Sequence, residues 1–151
     1  MHYFAGCVIP KGVSYQHAGP YVAKILAPFD ENNEGTIKPV WDWYQIGGRW
    51  TGVWDEYDPM QDPRNIDGKR AVWPTQFVPY ENDLKPVSLF LDTPSVFRRP
   101  MTLFTLEGVT EREPWLGDKF GRHTDEEWEE KVQKVLANYR DHQIIVVDYH
   151  D

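Results

Sequence analysis

Trp41-Asp42-Trp43-Tyr44-Gln45-Ile46-Gly47-Gly48-Arg49-Trp50-Thr51-Gly52-Val53-Trp54 holds four of the chain's seven tryptophans around a Gly-Gly pair. Residues of high strand propensity flank two glycines that can both take positive φ, so the stretch predicts a β-hairpin with Gly47-Gly48 as its two-residue loop. In that register Trp41, Trp43, Gln45, Trp50 and Trp54 share one face of the hairpin. Asp42, Tyr44, Ile46, Arg49, Thr51 and Val53 share the other, with Tyr44 and Arg49 as diagonal neighbours. The tryptophan face is expected to be core, and the Asp42/Tyr44/Arg49 face to carry the site.

Working outward, His2 to Ile9 reads as a strand apolar enough to lie inside a sheet, ended by Pro10-Lys11-Gly12. A helix is expected from about Tyr15 or His17 to Ala27, with Val22, Ile25 and Leu26 as its buried stripe and Pro20 in its opening turn; Pro28 stops it. Asp30 to Gly35 is a polar loop. Beyond the hairpin, Asp55 to Lys69 reads as a surface excursion, and Trp73 to Tyr80 as an aromatic cover held by Pro74 and Pro79. Val87 to Leu91 and Met101 to Glu107 read as strands, linked by a segment carrying Arg98-Arg99. Gly108 to His123 is expected to turn around Pro114. Thr124-Asp125-Glu126-Glu127 has capping-box spacing, and Trp128, Val132, Val135, Leu136 and Tyr139 follow at helical intervals. Gln143 to Tyr149 is apolar on both faces and closes the pattern as a strand.

This order predicts an α+β fold, ferredoxin-like or related, with a largely antiparallel sheet, two helices on one face and long loops. If the first and last strands are antiparallel neighbours, as in that arrangement, His2 comes close to Asp148 and His150. A polar cluster then forms from residues far apart in sequence.

At 151 residues the chain is expected to be a single domain, 1–151, and its aromatic content of 15% argues against disorder despite 12 prolines. The one cysteine, Cys7, leaves no internal disulfide and no cysteine metal site; it lies in an apolar segment and is expected to be buried and inert. Neither a basic leader nor a membrane-spanning run is visible, so a cytoplasmic location is expected, with no membrane partner. The net charge of −8 argues against general nucleic-acid binding, which requires cations to neutralise phosphates. No regular metal-ligand spacing is present, and neither metal nor cofactor is expected.

The segments Leu26-Ala27-Pro28-Phe29-Asp30-Glu31-Asn32, Trp41-Asp42-Trp43-Tyr44-Gln45-Ile46-Gly47-Gly48-Arg49-Trp50 and Val146-Val147-Asp148-Tyr149-His150 resemble, in that order, a family of small proteins of bacteriophages and their bacterial hosts. The family carries no assigned biochemical activity. Its pattern often has cysteine where this chain has Tyr149, so no catalytic thiol is expected there. A phage origin implies residence in the bacterial host cytoplasm and a role in countering host defence, by association alone.

Three functions follow as expectations. In the first, Asp42, Trp43, Tyr44, Gly47, Gly48, Arg49 and Trp50 bind an anionic small molecule such as a signalling nucleotide. Rings stack on a base, the guanidinium forks onto phosphate, and the glycines let backbone amides approach. In the second, the chain is a phosphodiesterase-type hydrolase of a small nucleotide. His150 or His2 is then general base or acid, Asp148 or Asp42 the orienting carboxylate, Tyr44 a proton donor and Arg49 the stabiliser of phosphate charge. In the third, an acidic surface or aromatic patch inhibits a host protein.

Overall fold

The computed structural model describes residues 2–55, 57, 80–93, 97–112 and 125–151. In chain order these hold β1 (His2–Ile9), α1 (Ala18–Leu26), β2 (Trp43–Ile46), β3 (Leu84–Pro86), α2 (Val87–Asp92), β4 (Thr102–Thr105), β5 (Gly108–Glu111), α3 (Asp125–Ala137) and β6 (Gln143–His150). One mixed sheet runs β2-β6-β1-β4-β5, with β3 pairing the other end of β6 beside β2. Only β1 and β4 are parallel; the remaining pairings are antiparallel. The α+β, largely antiparallel expectation therefore holds. It is the related arrangement rather than the ferredoxin one, since β1 and β4 lie side by side instead of being split by an intervening strand.

β1 and β6 pair along their whole length, His2 with His150 through Ile9 with Gln143. Both are apolar on both faces, which forces cover on both sides of the sheet. Phe4, Val8, Leu103, Ile144 and Val146 pack with Val87 and Phe90 of α2 and with Trp128, Val132 and Leu136 of α3. Ala5, Cys7, Ile9, Phe104, Ile145, Val147 and Tyr149 pack with Ala18, Val22, Ile25 and Leu26 of α1. The buried stripes of α1 and α3 match the sequence reading, but the two helices lie on opposite faces rather than one. The alternation along β1 and β6 already contained the reason: a strand buried on both faces needs a layer above and below it.

The hairpin expected over 41–54 does not form. Trp43–Ile46 pairs with Val147–His150 of β6, and backbone bonds from Asp42 N to His150 O (2.9 Å) and from Gly47 N to Val146 O (2.8 Å) extend the ladder at both ends. Gly47 and Gly48 do take positive φ, +73° and +58°. They lead into a 3-10 turn, Gly48–Trp50, instead of a returning strand. Pairing with a central strand buried on both faces outweighs a two-stranded ribbon, which is marginal by itself. The tryptophans then disperse. Trp41 joins the α1 core and donates its indole N–H to Leu26 O at 2.9 Å, whereas Trp54 joins the opposite core and donates to Arg98 O at 3.0 Å.

Val87–Leu91 is helical, as α2, rather than a strand. Pro86 supplies an extended N-cap at φ −62°, ψ 136°, and the buried residues Val87 and Phe90 are spaced three apart, a period that a stretch of five residues, all apolar but Ser88, leaves open. Part of the stretch expected to turn after Gly108 is β5, paired with β4 from Thr102↔Glu111 to Thr105↔Gly108. The Thr124 cap, most of the Asp55–Lys69 excursion, the Trp73–Tyr80 cover apart from Tyr80, and the turn at Pro114 lie outside the described residues. No described helix is long and apolar enough to cross a membrane.

Candidate functional site

At one end of the sheet the apolar alternation on the α2/α3 face changes character. Val146 gives way to Asp148 and His150 on β6, and Phe4 to His2 on β1. The register sets His2 opposite His150, and His150 opposite Trp43 of β2. These residues, with Asp42, Arg49 and Asn32, open onto a cavity of about 440 Å³ lined by His2, Asn32, Asp42, Trp43, Arg49 and His150. That volume is within the roughly 300–1,000 Å³ of small-molecule sites.

Each histidine is held by its own carboxylate. His2 Nδ1 lies 2.8 Å from Asp148 Oδ1 and His150 Nδ1 lies 2.9 Å from Asp42 Oδ1. An ionised carboxylate only accepts, so both Nδ1 atoms are the donors and both Nε2 atoms are left for a ligand. The rings stand edge to face with centroids 5.5 Å apart, and His2 makes a second edge contact with the Trp43 indole at 5.8 Å. The two pairs differ in setting: the side chains of His2 and Asp148 are 12% and 0% exposed, those of His150 and Asp42 39% and 32%.

The Gly-Gly-Arg turn completes the buried pair. Asp148 Oδ2 accepts the backbone N–H of Arg49 at 3.0 Å. That approach needs a bare Cα at position 48, because a Cβ there would sit 2.6 Å from both Asp148 Cβ and Oδ2. The glycine pair thus acts through Asp148, holding His2 by way of its carboxylate. The side chain of Arg49 is exposed at the cavity and forms no hydrogen bond or ion pair with a described residue, which leaves its planar fork open to an anion.

Asn32 was missed in the sequence. Its Nδ2 donates to Asp30 Oδ1 (3.1 Å) and to the Asp42 carbonyl (2.9 Å), and its backbone N–H also reaches Asp30 Oδ1 (2.9 Å). Both side-chain partners are acceptors, which fixes the amide orientation and leaves Oδ1 as its free acceptor. The Asp30-x-Asn32 spacing of an Asx turn, and the bridge that sets Asp30 beside Trp41, are the signals that bring it to the site.

The sequence-derived candidates therefore divide. His2, Asp148, His150, Asp42, Trp43 and Arg49 come together, and Gly47 and Gly48 carry the turn beneath them. Tyr44 does not join them. It alternates onto the α1 face, meets Trp41 edge-on at 4.9 Å, and burial beside Cys7 raises its phenol pKa. Its expected diagonal contact with Arg49 existed only in the hairpin register. Trp50 packs against Phe4 with centroids 5.7 Å apart, under the Arg98 guanidinium, and is not among the residues lining the cavity.

A second buried carboxylate supports the same segment from below. Asp83 accepts from the Thr51 hydroxyl and from Gly52 N at 2.8 Å, and burial pushes its pKa up to about 6. Cys7 is fully buried, and its thiol pKa is pushed well above the ordinary range. Among the described residues no three His, Cys, Asp or Glu side chains converge as ligands of one metal ion. Comparison with protein-family models, with curated proteins and with solved structures returns no match for this chain.

Proposed function

We propose that this protein cleaves a phosphodiester bond in a small nucleotide by general acid–base catalysis, with His2 and His150 as the proton-transfer pair. The observation that carries the reading is the twinned arrangement: two imidazoles on register-paired positions, each locked through Nδ1 to a separate carboxylate, sharing one cavity with a guanidinium that has no partner among the described residues. Phosphodiester cleavage needs a proton taken from the nucleophile, a proton given to the leaving oxygen and charge stabilisation on the phosphoryl group. One neutral imidazole, one imidazolium and Arg49 supply these three needs. Asp42 and Asp148 orient the rings and stabilise whichever ring is charged, and the flat face of Trp43 suits a base.

A panel of linear and cyclic mono- and dinucleotides, followed by mass spectrometry, tests the reading. New products are expected with the wild-type chain. His2→Asn and His150→Asn each keep a donor for the carboxylate while removing Nε2, and each is expected to lose about 10²–10⁴-fold in rate. Arg49→Ala is expected to lose about 10²–10³-fold with folding intact, since its side chain is exposed. The open guanidinium and the Trp43 face also favour a second reading, a module that binds an anionic nucleotide without changing it. Retention of an intact ligand, abolished by Arg49→Ala, would select that reading. A panel in which nothing is bound or cleaved would refute both and return weight to a protein partner.

A further inference from the structure

We infer that the bond cleaved is a ribonucleotide linkage whose nucleophile is the ribose 2′-hydroxyl, so that the first product ends in a 2′,3′-cyclic phosphate. This inference rests on the acid–base reading above and narrows its substrate class.

The described lining of the cavity bears on where the nucleophile comes from. None of the described residues that line it is Ser, Thr, Cys, Lys or Tyr; its two imidazoles are committed to proton transfer and the Asp42 carboxylate to His150, so these residues supply no group to form a covalent intermediate. The nucleophile therefore comes from solvent or from the substrate. A water would have to be both held and deprotonated. Asp42 and Asp148 are engaged by the Nδ1 atoms of His150 and His2, so among the described lining residues Asn32 Oδ1, an acceptor that is no base, is the group left to hold one. A hydroxyl on the carbon next to the phosphate ester arrives already placed, and well-oriented intramolecular groups reach effective molarities of about 10⁵–10⁸ M. Two imidazoles with centroids 5.5 Å apart then have one task each. The neutral ring takes the 2′-hydroxyl proton on Nε2 as the O2′–P bond forms. The P–O5′ bond breaks, and the imidazolium passes its Nε2 proton to O5′. Charge and atoms balance without a further reactant, and a later attack by water on the cyclic phosphate restores the starting protonation states.

The test uses the full chain and two probes, adenylyl-(3′→5′)-adenosine and its 2′-deoxy counterpart, with products identified by mass. Cleavage of the ribo probe to adenosine 2′,3′-cyclic phosphate and adenosine is expected, with the deoxy probe at least about 10³-fold slower. Both activities should vanish in His2→Asn and His150→Asn proteins purified in the same way, which separates the chain's activity from a contaminant. Equal cleavage of the two probes would overturn the 2′-hydroxyl while leaving the acid–base reading standing. Cleavage of neither, nor of any linear or cyclic nucleotide in the wider panel, would overturn both.

Discussion

Replacing Gly48 by alanine is expected to destabilise the protein far more than replacing Gly12, although both glycines have positive φ. Gly12 sits at φ +79° with no atom within 4 Å of where a Cβ would stand, so Gly12→Ala carries only the backbone penalty, about 1–2 kcal/mol. Gly48 sits at φ +58°, and its Cβ would lie 2.6 Å from Asp148 Cβ and Oδ2. Asp148 cannot yield easily: it is fully buried and tied to His2 Nδ1 and to Arg49 N. Relieving the clash therefore breaks at least one hydrogen bond to a charged group, about 1.5–3 kcal/mol, which brings the total for Gly48→Ala to about 2.5–5 kcal/mol. Urea unfolding followed by tryptophan fluorescence measures both variants, and the NMR resonances of the His2 ring should shift in Gly48→Ala alone. If the two variants agree within about 0.5 kcal/mol, the close approach to Asp148 does not hold the turn and the account of the Gly-Gly-Arg motif fails.

Asp83 gives a pH signature. Its folded pKa, raised to about 6 from an ordinary value of 3.8, means that the native state binds the extra proton, so this group's contribution is greatest below pH 3.8 and is lost as pH rises through about 6. The total is about 3 kcal/mol. Unfolding free energies measured from pH 4 to 7 should fall more steeply in the wild type than in Asp83→Asn, and parallel curves would refute the assignment. Tyr149 bonds Thr102 Oγ1 at 2.8 Å in a buried setting, so Tyr149→Phe should cost about 1–3 kcal/mol through the orphaned hydroxyl. Adding Thr102→Val should return part of that loss in chemical unfolding. Cys7 should resist thiol reagents in the native protein and react only at the rate of unfolding, as followed by chromogenic disulfide exchange; rapid native labelling would contradict its burial.

Much of the site was legible because strand alternation is a strong constraint. Once β1 and β6 are antiparallel neighbours with His2 opposite His150, His2, Asp148 and His150 fall on one face at one end. The stripes of α1 and α3 were legible for the same kind of reason. The hairpin was not, because Gly-Gly satisfies two different demands with one local signature. Positive φ serves a two-residue loop as well as it serves a backbone pressed against a buried carboxylate, and only Asp148, 100 residues away, decides between them. Tyr44 followed the hairpin into error, since its face depended on a returning strand. Asn32 stayed hidden because its role is set by a loop laid beside Trp41, and Asp83 because a carboxylate's burial beneath a distant turn leaves no periodic trace. The short apolar run at Val87 had too few residues to separate a period of two from one of 3.6.

β6 is the last strand of the sheet to be synthesised, yet it lies between β1 on one side and β2 and β3 on the other. Until it leaves the ribosome, β1, β2 and β3 lack the partner that joins them, and Asp42 and Arg49 have neither His150 nor Asp148 to engage. Nascent chains are thus expected to remain open until Gln143–His150 has emerged. Closure then depends on contacts of very long sequence separation, which fold slowly. The strand that unites the sheet also delivers half of the imidazole pair, so chemical competence should emerge in the same late step as the fold itself.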